Sequence, residues 1–448
     1  MDQPNSSLNQ HGPRVLLAFA VALAFVLSVR AVLRGGYIGP DYPTHLSRLI
    51  ESSKIFDFSA TNPPVYYLLG HALFLLIGPT NSFPIALSIL QVVVNLGALW
   101  YFFRYTQSRF GSALIHSALC VFLVFLPARI IHAATIGTDS MTVPLFVWLV
   151  FLVDRFLVDE TSMPGNATLL GLALGLAVWV KYSFMALIPA LFVVFFFLWT
   201  KRRWKLQRFL AICALSLALP SVLAIHSFWA SNRAHGYNTE THWRQKGVPP
   251  DMTFKDLLLV KANDVQIFRA PEYFKREILR PHQHSYFGLL HMGVFSDPMN
   301  LFQDLSVPQN IGSVLIPDQK TRRPWKTPVM SASISLGAIW TASALVGTAW
   351  LLFCAFNGLV KGRLEREHVM MLLGIAYFLL MFLPIPFVHA GALFGYWTPR
   401  LILPAVLVFF LAAFLFIDRK VVARSNKLAI AFFALVVVHC MIEIVMLA

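Results

Sequence analysis

Charge is what this chain of 448 residues lacks most: only 13% of its residues are Asp, Glu, Lys or Arg, against 57% hydrophobic. So few charged side chains cannot cover a water-soluble globule of this size, which excludes that class and leaves lipid as the solvent. Cysteine is scarce too. All four, Cys120, Cys213, Cys354 and Cys440, sit in apolar runs, which excludes a disulfide framework and makes them small apolar side chains. Acidic residues are outnumbered, 21 against 36 Lys and Arg, for a formal charge of +15. The excess does not call for nucleic acid, because the basic residues cluster in short segments between apolar runs, the pattern of positive-inside topology. The first apolar run, 15–33, lacks a small-residue cleavage site and ends in Arg34-Gly35-Gly36, so it reads as an uncleaved span. No internal repeat marks inverted transporter halves.

What is present is a series of apolar runs long enough to cross a bilayer: 15–33, 83–103, 112–127, 141–157, 209–229, 331–357, 369–388, 400–417 and 428–447. The stretch 167–200 is too long for one crossing and carries Lys181-Tyr182-Ser183 at its centre, so it predicts a hairpin of two short spans and a total of about 11 helices. The domain plan is a disordered cytoplasmic tail (1–13), a transmembrane module (14–229) with its first external loop at 34–82, an external and helical loop (230–330), and C-terminal transmembrane helices (331–448). Within that long loop, 255–280 reads as one or two amphipathic helices, with Trp243 and Tyr273 suited to an interface.

The run 65–77 after Pro63-Pro64 is short for a crossing. Charge decides its fate. If it does not cross, the basic segments 104–109, 201–208, 361–366 and 418–427 all fall inside, and 34–82 and 230–330 fall outside; if it crosses, all four fall outside. The run therefore reads as a juxtamembrane helix of the first external loop.

Three polar features then share the outer face. Asp41 and His45 stand four residues apart just after the first span, with Arg48 and Glu51 continuing that face. A carboxylate there can accept a proton from an incoming hydroxyl or amine, or it can simply cap a helix. Asp139, in Thr138-Asp139-Ser140, lies at the mouth of a later span, where N-capping is again the plain alternative. Arg400 opens a late span on the same face, either as a phosphate ligand or as a side chain snorkelling to the interface. The sequon Asn166-Ala167-Thr168 falls on the inner side and is discounted.

In order and spacing, these segments resemble the membrane glycosyltransferases of the GT-C fold, in particular the protein O-mannosyltransferase and aminoarabinose-transferase-like group. The matching residues are Asp41 with His45, Asn62-Pro63-Pro64-Val65-Tyr66-Tyr67, Thr138-Asp139, and Gly395-Tyr396-Trp397-Thr398-Pro399-Arg400-Leu401-Ile402-Leu403-Pro404. The likeness covers 15–160 and, more loosely, 385–417. It departs from the family where many members carry an acidic pair, since Tyr42 follows Asp41 here; a divalent cation is therefore unsupported and no cofactor is expected.

The resemblance implies transfer of a sugar from a polyprenyl-phosphate carrier to an acceptor outside the cytoplasmic membrane, with inversion. Asp41 would be the general base and Asp139 would position the acceptor or a nearby cation. Arg400 would bind the donor phosphate, with Lys181, His282, His284 and His291 as secondary candidates; His45, Arg48, Asn62 and Tyr66 would contact substrate. The expected partners are that donor, an acceptor of unknown class and the lipid bilayer, in a bacterial inner membrane with the site facing outward. A multi-span transporter or lipid flippase is the rival reading, weakened because the distinctive polar residues sit at span ends and not at the midplane.

Overall fold

The computed structural model describes residues 8–38, 42–56, 63–158, 163–202, 205–235, 285–296, 305–311, 314–320, 326–361, 365–382 and 398–448. Helices α1 to α5 are Leu8–Ala31, Tyr42–Ile50, Val65–Ile77, Ser82–Thr106 and Ala113–Phe125. Pro127–Ala134 forms α6, Thr142–Val158 α7, Met163–Val180 α8, Leu187–Arg202 α9 and Leu206–His235 α10. Tyr286–Val294 (α11) precedes an antiparallel hairpin of Leu305–Ile311 (β1) and Val314–Lys320 (β2), and then Lys326–Val360 (α12), Arg366–Phe382 (α13), Thr398–Phe416 (α14) and Asn426–Leu447 (α15) complete the chain.

Eight of the described helices are long and apolar enough to cross a membrane, or nine if the bent pair α5 and α6 is one span. The 47° bend between those two comes at Leu126-Pro127, where the proline has no N–H to continue the α5 ladder and instead opens α6 at its first position. The stretch 167–200 does divide in two: Lys181 is extended (φ −151°, ψ 121°) between α8 and a 3-10 turn, Tyr182–Ala186, that leads into α9. In the segment expected to be a helical loop, the described residues hold one helix and a two-stranded hairpin, while 236–284, including the expected helices at 255–280, lies outside them.

Burial sorts the helices. The span around Ile402–Val421 is 83% buried and that around Thr138–Leu157 67%, against 22–44% for the other six, so α14 and α7 form the centre and the rest present apolar faces outward. Phe122, Phe295, Trp340, Phe410, Phe414 and His439 pack ring against ring around α14, with the Phe122 and Phe410 centroids 4.8 Å apart. Helix α10 lies parallel to α8. Gly171 faces Leu215 and Ser216, Gly175 faces Leu219, and a Cβ at Gly171 would collide with the Leu215 carbonyl, so the glycine spacing sets how closely the two backbones meet.

The polar contacts divide the bundle into two ends. At one, Arg109 donates to Glu367 at 3.0 Å and Arg419 to the same carboxylate at 2.7 Å, Arg366 pairs with Asp154 at 3.1 Å, and Asp418 accepts from the Gly111 and Ser112 amides at 2.8 and 2.9 Å. Since α7 ends beside Asp154 and α8 and α10 run parallel from there, Lys205 and Arg208 at the start of α10 belong to that end too. Helix α3 never reaches it. Its Tyr66 touches Gln91, Gly70 approaches Leu87 and Phe74 packs on Phe83, so α3 runs antiparallel to the first turns of α4 and stays at the opposite end. The four cysteines are free, and Asn166 of the sequon is buried in α8.

Candidate functional site

The opposite end is where the outer-face residues collect. The chain leaves α1 through Val32–Gly36, and the Tyr37 carbonyl accepts from the Ile136 amide at 3.0 Å, which ties the first loop to the α6–α7 connection. Helix α2 begins at Tyr42, whose ring meets Tyr37 edge-on at 5.7 Å. One turn on, His45 is buried and its Nδ1 hydrogen-bonds the Tyr67 hydroxyl at 2.7 Å. Arg48 lies over the Tyr67 ring, 4.1 Å from its centroid, and donates to the Lys54 and Ile55 carbonyls, both at 3.1 Å. Its guanidinium thus holds the end of the loop turn against α3.

Tyr66 joins three elements. Its hydroxyl accepts from Gln91 Nε2 of α4 at 2.6 Å and from the Gly137 amide at 3.0 Å. Burial, and then the neighbouring Tyr67, push that phenol well above its ordinary range, so it stays protonated and acts as a neutral strut. Gly137 has extended backbone, and a Cβ there would come 3.0 Å from His45 Nε2, so a side chain at this position would press on the His45 ring.

The turn Thr138–Met141 carries Asp139 on to α7. The Asp139 carboxylate pairs with the Lys181 ammonium at 2.6 Å, and Lys181 also donates to Thr138 Oγ1 at 3.1 Å. Both charged side chains are mostly buried, 11% and 14% exposed. The α8–α9 break therefore exists at the place where a lysine must reach a carboxylate 42 positions away in sequence. Beside the pair, Tyr377 of α13 donates to Ser183 at 2.6 Å.

Beneath the turn, Asn95 donates to the Ser140 carbonyl at 3.3 Å and accepts from Arg129 at 3.4 Å. Arg129 is fully buried, gives a second hydrogen bond to the Val124 carbonyl and, among the described residues, has no carboxylate partner. Gln91, Asn95, Arg129 and Tyr377 escaped the sequence reading. The signal was there, since polar residues inside apolar spans are expensive and functional by default.

The structure thus brings together His45, Tyr66, Asp139 and Lys181 of the expected site, and turns Arg48 onto loop carbonyls. His291 hydrogen-bonds Thr341 at 2.8 Å and the Ile334 carbonyl at 2.9 Å, docking α11 on α12. Asp41, Asn62, His282 and His284 lie outside the described residues; Arg400 is in the first turn of α14. Among the described residues, no three His, Cys, Asp or Glu side chains converge as metal ligands.

No family profile matches the chain, and no curated protein matches it by sequence. Two solved structures match in shape. One is the archaeal oligosaccharyltransferase AglB from Archaeoglobus fulgidus in complex with an inhibitory peptide and a dolichol-phosphate, with TM-score 0.50 and 12% identity over 99% of this chain and 56% of that one. The other is the Archaeoglobus fulgidus oligosaccharyltransferase in the apo form, with TM-score 0.52 and 12% identity over 99% of this chain and 57% of that one. The chain spans a little over half the length of either. At this identity the likeness concerns architecture alone, and the protein is an integral membrane protein with the all-α, GT-C-like fold of these oligosaccharyltransferases.

Proposed function

We propose that this protein is an inverting glycosyltransferase that moves a sugar from a polyprenyl-phosphate donor to an acceptor on the outer face of the membrane. The observation that carries the reading is the Asp139–Lys181 ion pair, held beside the Tyr66–Gly137 junction at the end of the bundle away from the basic segments, in a fold shared with oligosaccharyltransferases. An ion pair so little exposed is costly unless it is retained for a task.

In the mechanism, Asp41, the residue before α2, takes the proton from the acceptor hydroxyl or amine. The freed electron pair forms the new bond to the anomeric carbon. The bond from that carbon to the phosphate oxygen breaks, its electrons remain on the polyprenyl phosphate, and configuration inverts in one displacement. Asp41 then returns its proton to water. Asp139 positions the acceptor. Arg400, at the start of α14, and Lys181 offset the charge that develops on the leaving phosphate; an ammonium has three donors, and the contacts with Asp139 and Thr138 occupy two. His45, Tyr66 and Asn62 line the acceptor side, and His282 and His284 approach the donor phosphate from the long loop. A dolichol-phosphate bound to one matching structure belongs to the same chemical class as the donor assigned here. The membrane is a bacterial inner membrane and the site faces outward.

The test is a transfer assay in reconstituted vesicles with radiolabelled polyprenyl-phosphate sugars. Asp41→Asn should lower turnover by at least about a thousandfold with donor binding retained, and Arg400→Ala should weaken donor use. Near-normal transfer by Asp41→Asn sinks the mechanism, and movement of the intact donor across the vesicle without sugar transfer sinks the enzyme reading in favour of a flippase.

A further inference from the structure

At the basic end, far from the Asp139–Lys181 pair, α1, α4 and α5 enclose a cavity of about 390 Å³, within the roughly 300–1,000 Å³ of small-ligand pockets. Its walls are Leu17, Trp100, Phe103, Phe110, Ala113 and Cys120, and its polar lining is Arg104, Gln107, His116 and Ser117. Trp100 of α4 and Cys120 of α5 lie a turn or more further into the bundle than Arg104 and Gln107, which stand exposed at the end of α4.

Arg104 is the Lys or Arg side chain among the described lining residues of the cavity, and the nearby Arg109, Arg366 and Arg419 are in ion pairs with Glu367 and Asp154. Asp418, whose carboxylate meets the cavity wall at Gly111, uses both oxygens on the Gly111 and Ser112 amides. His116, in the cavity lining, hydrogen-bonds Thr106 Oγ1 at 3.3 Å. Arg104 is left as the cation at the mouth of an apolar cleft, on the end that the positive-inside rule assigns to the cytoplasm, whose leaflet carries the anionic lipids. A guanidinium above an apolar slot complements a phosphate headgroup above an acyl chain.

We propose that this cavity is a binding site for one anionic phospholipid of the cytoplasmic leaflet, its phosphate on Arg104 and Gln107 and its acyl chain against Trp100, Phe103 and Cys120. The site is separate from the proposed donor site and lies at the other end of the bundle. Occupied, it would fill the seam between α1 and the α4–α5 hairpin and hold the first span in place.

Trp100 provides the readout. The full-length protein is reconstituted into phosphatidylcholine vesicles containing a small fraction of brominated phosphatidylglycerol or brominated phosphatidylcholine. The Trp100 contribution is taken as the fluorescence difference between the protein and its Trp100→Phe variant. The site predicts at least about threefold stronger quenching of Trp100 by the brominated anionic lipid, with the preference removed by Arg104→Gln and the quenching by either lipid reduced by Ala113→Phe, which fills the slot. Arg104 is exposed, so its replacement leaves the fold intact, and size-exclusion profiles check both variants. Equal quenching by the two lipids, or an anionic preference that survives Arg104→Gln, overturns the proposal.

Discussion

At the scale of single residues, the Asp139–Lys181 pair is the feature with the clearest energetic consequence. Each charge has been taken out of water, and each is tolerable because the other stands 2.6 Å away. Lys181→Met leaves a carboxylate uncompensated and should cost about 3–5 kcal/mol, the usual penalty for breaking a buried pair from one side. The Asp139→Asn/Lys181→Met double variant should recover most of that loss. Thermal unfolding in detergent, followed by size-exclusion chromatography, checks this; a double variant no more stable than Lys181→Met would show that the pair is not coupled.

At the scale of elements, the fold depends on how closely helices approach and on how their ends are tied. Gly171 meets the α10 backbone directly, whereas nothing stands within 4 Å of a Cβ at Gly165, six residues earlier on the same helix. Gly171→Ala should therefore destabilise by about 1–3 kcal/mol and Gly165→Ala by little, a contrast that reads the α8–α10 seam and not helix propensity. At the basic end, burial pushes the Glu367 carboxyl up, but the hydrogen bond and charge of Arg419, with Arg109 behind it, outweigh that and hold it below its ordinary 4.5. A depressed carboxylate stabilises the folded state at neutral pH, and that stability fades as pH falls below 4.5 through the folded value. The melting temperature of Glu367→Gln should lie below that of the parent at pH 7, and the two should converge near the acid end. A gap unchanged down to pH 3 would mean that Glu367 acts by packing alone.

At the scale of the whole molecule, the two ends of the bundle must face opposite sides of the membrane. Single cysteines at Ser108, Lys205 and Lys361, all exposed at the basic end, should be labelled by an impermeant maleimide only after permeabilisation, and one at Asn81, at the other end, in intact cells. Labelling of position 108 from outside would invert the orientation and, with it, the assignment of the site to the outer face.

The helical, membrane-spanning character of the chain and the break at Lys181 were legible in the sequence, although eight or nine of the described helices are long and apolar enough to cross where about 11 spans were expected. Each depends on a quantity summed locally: hydrophobic length against bilayer thickness, and charge within a run. The sequence also marked Asp139, Lys181, His45 and Tyr66, but only as separate residues with separate roles. Their partners were decided by tertiary structure. Tyr66 meets Gly137, His45 meets Tyr67 and Lys181 meets Asp139 across separations that no local period encodes. Gln91, Asn95, Arg129 and Tyr377 are the polar lining of those junctions, and in the sequence they are single polar letters inside apolar runs. Burial in lipid explains the difference. It demands that every such group find a partner, and which partner it finds depends on which helices pack together.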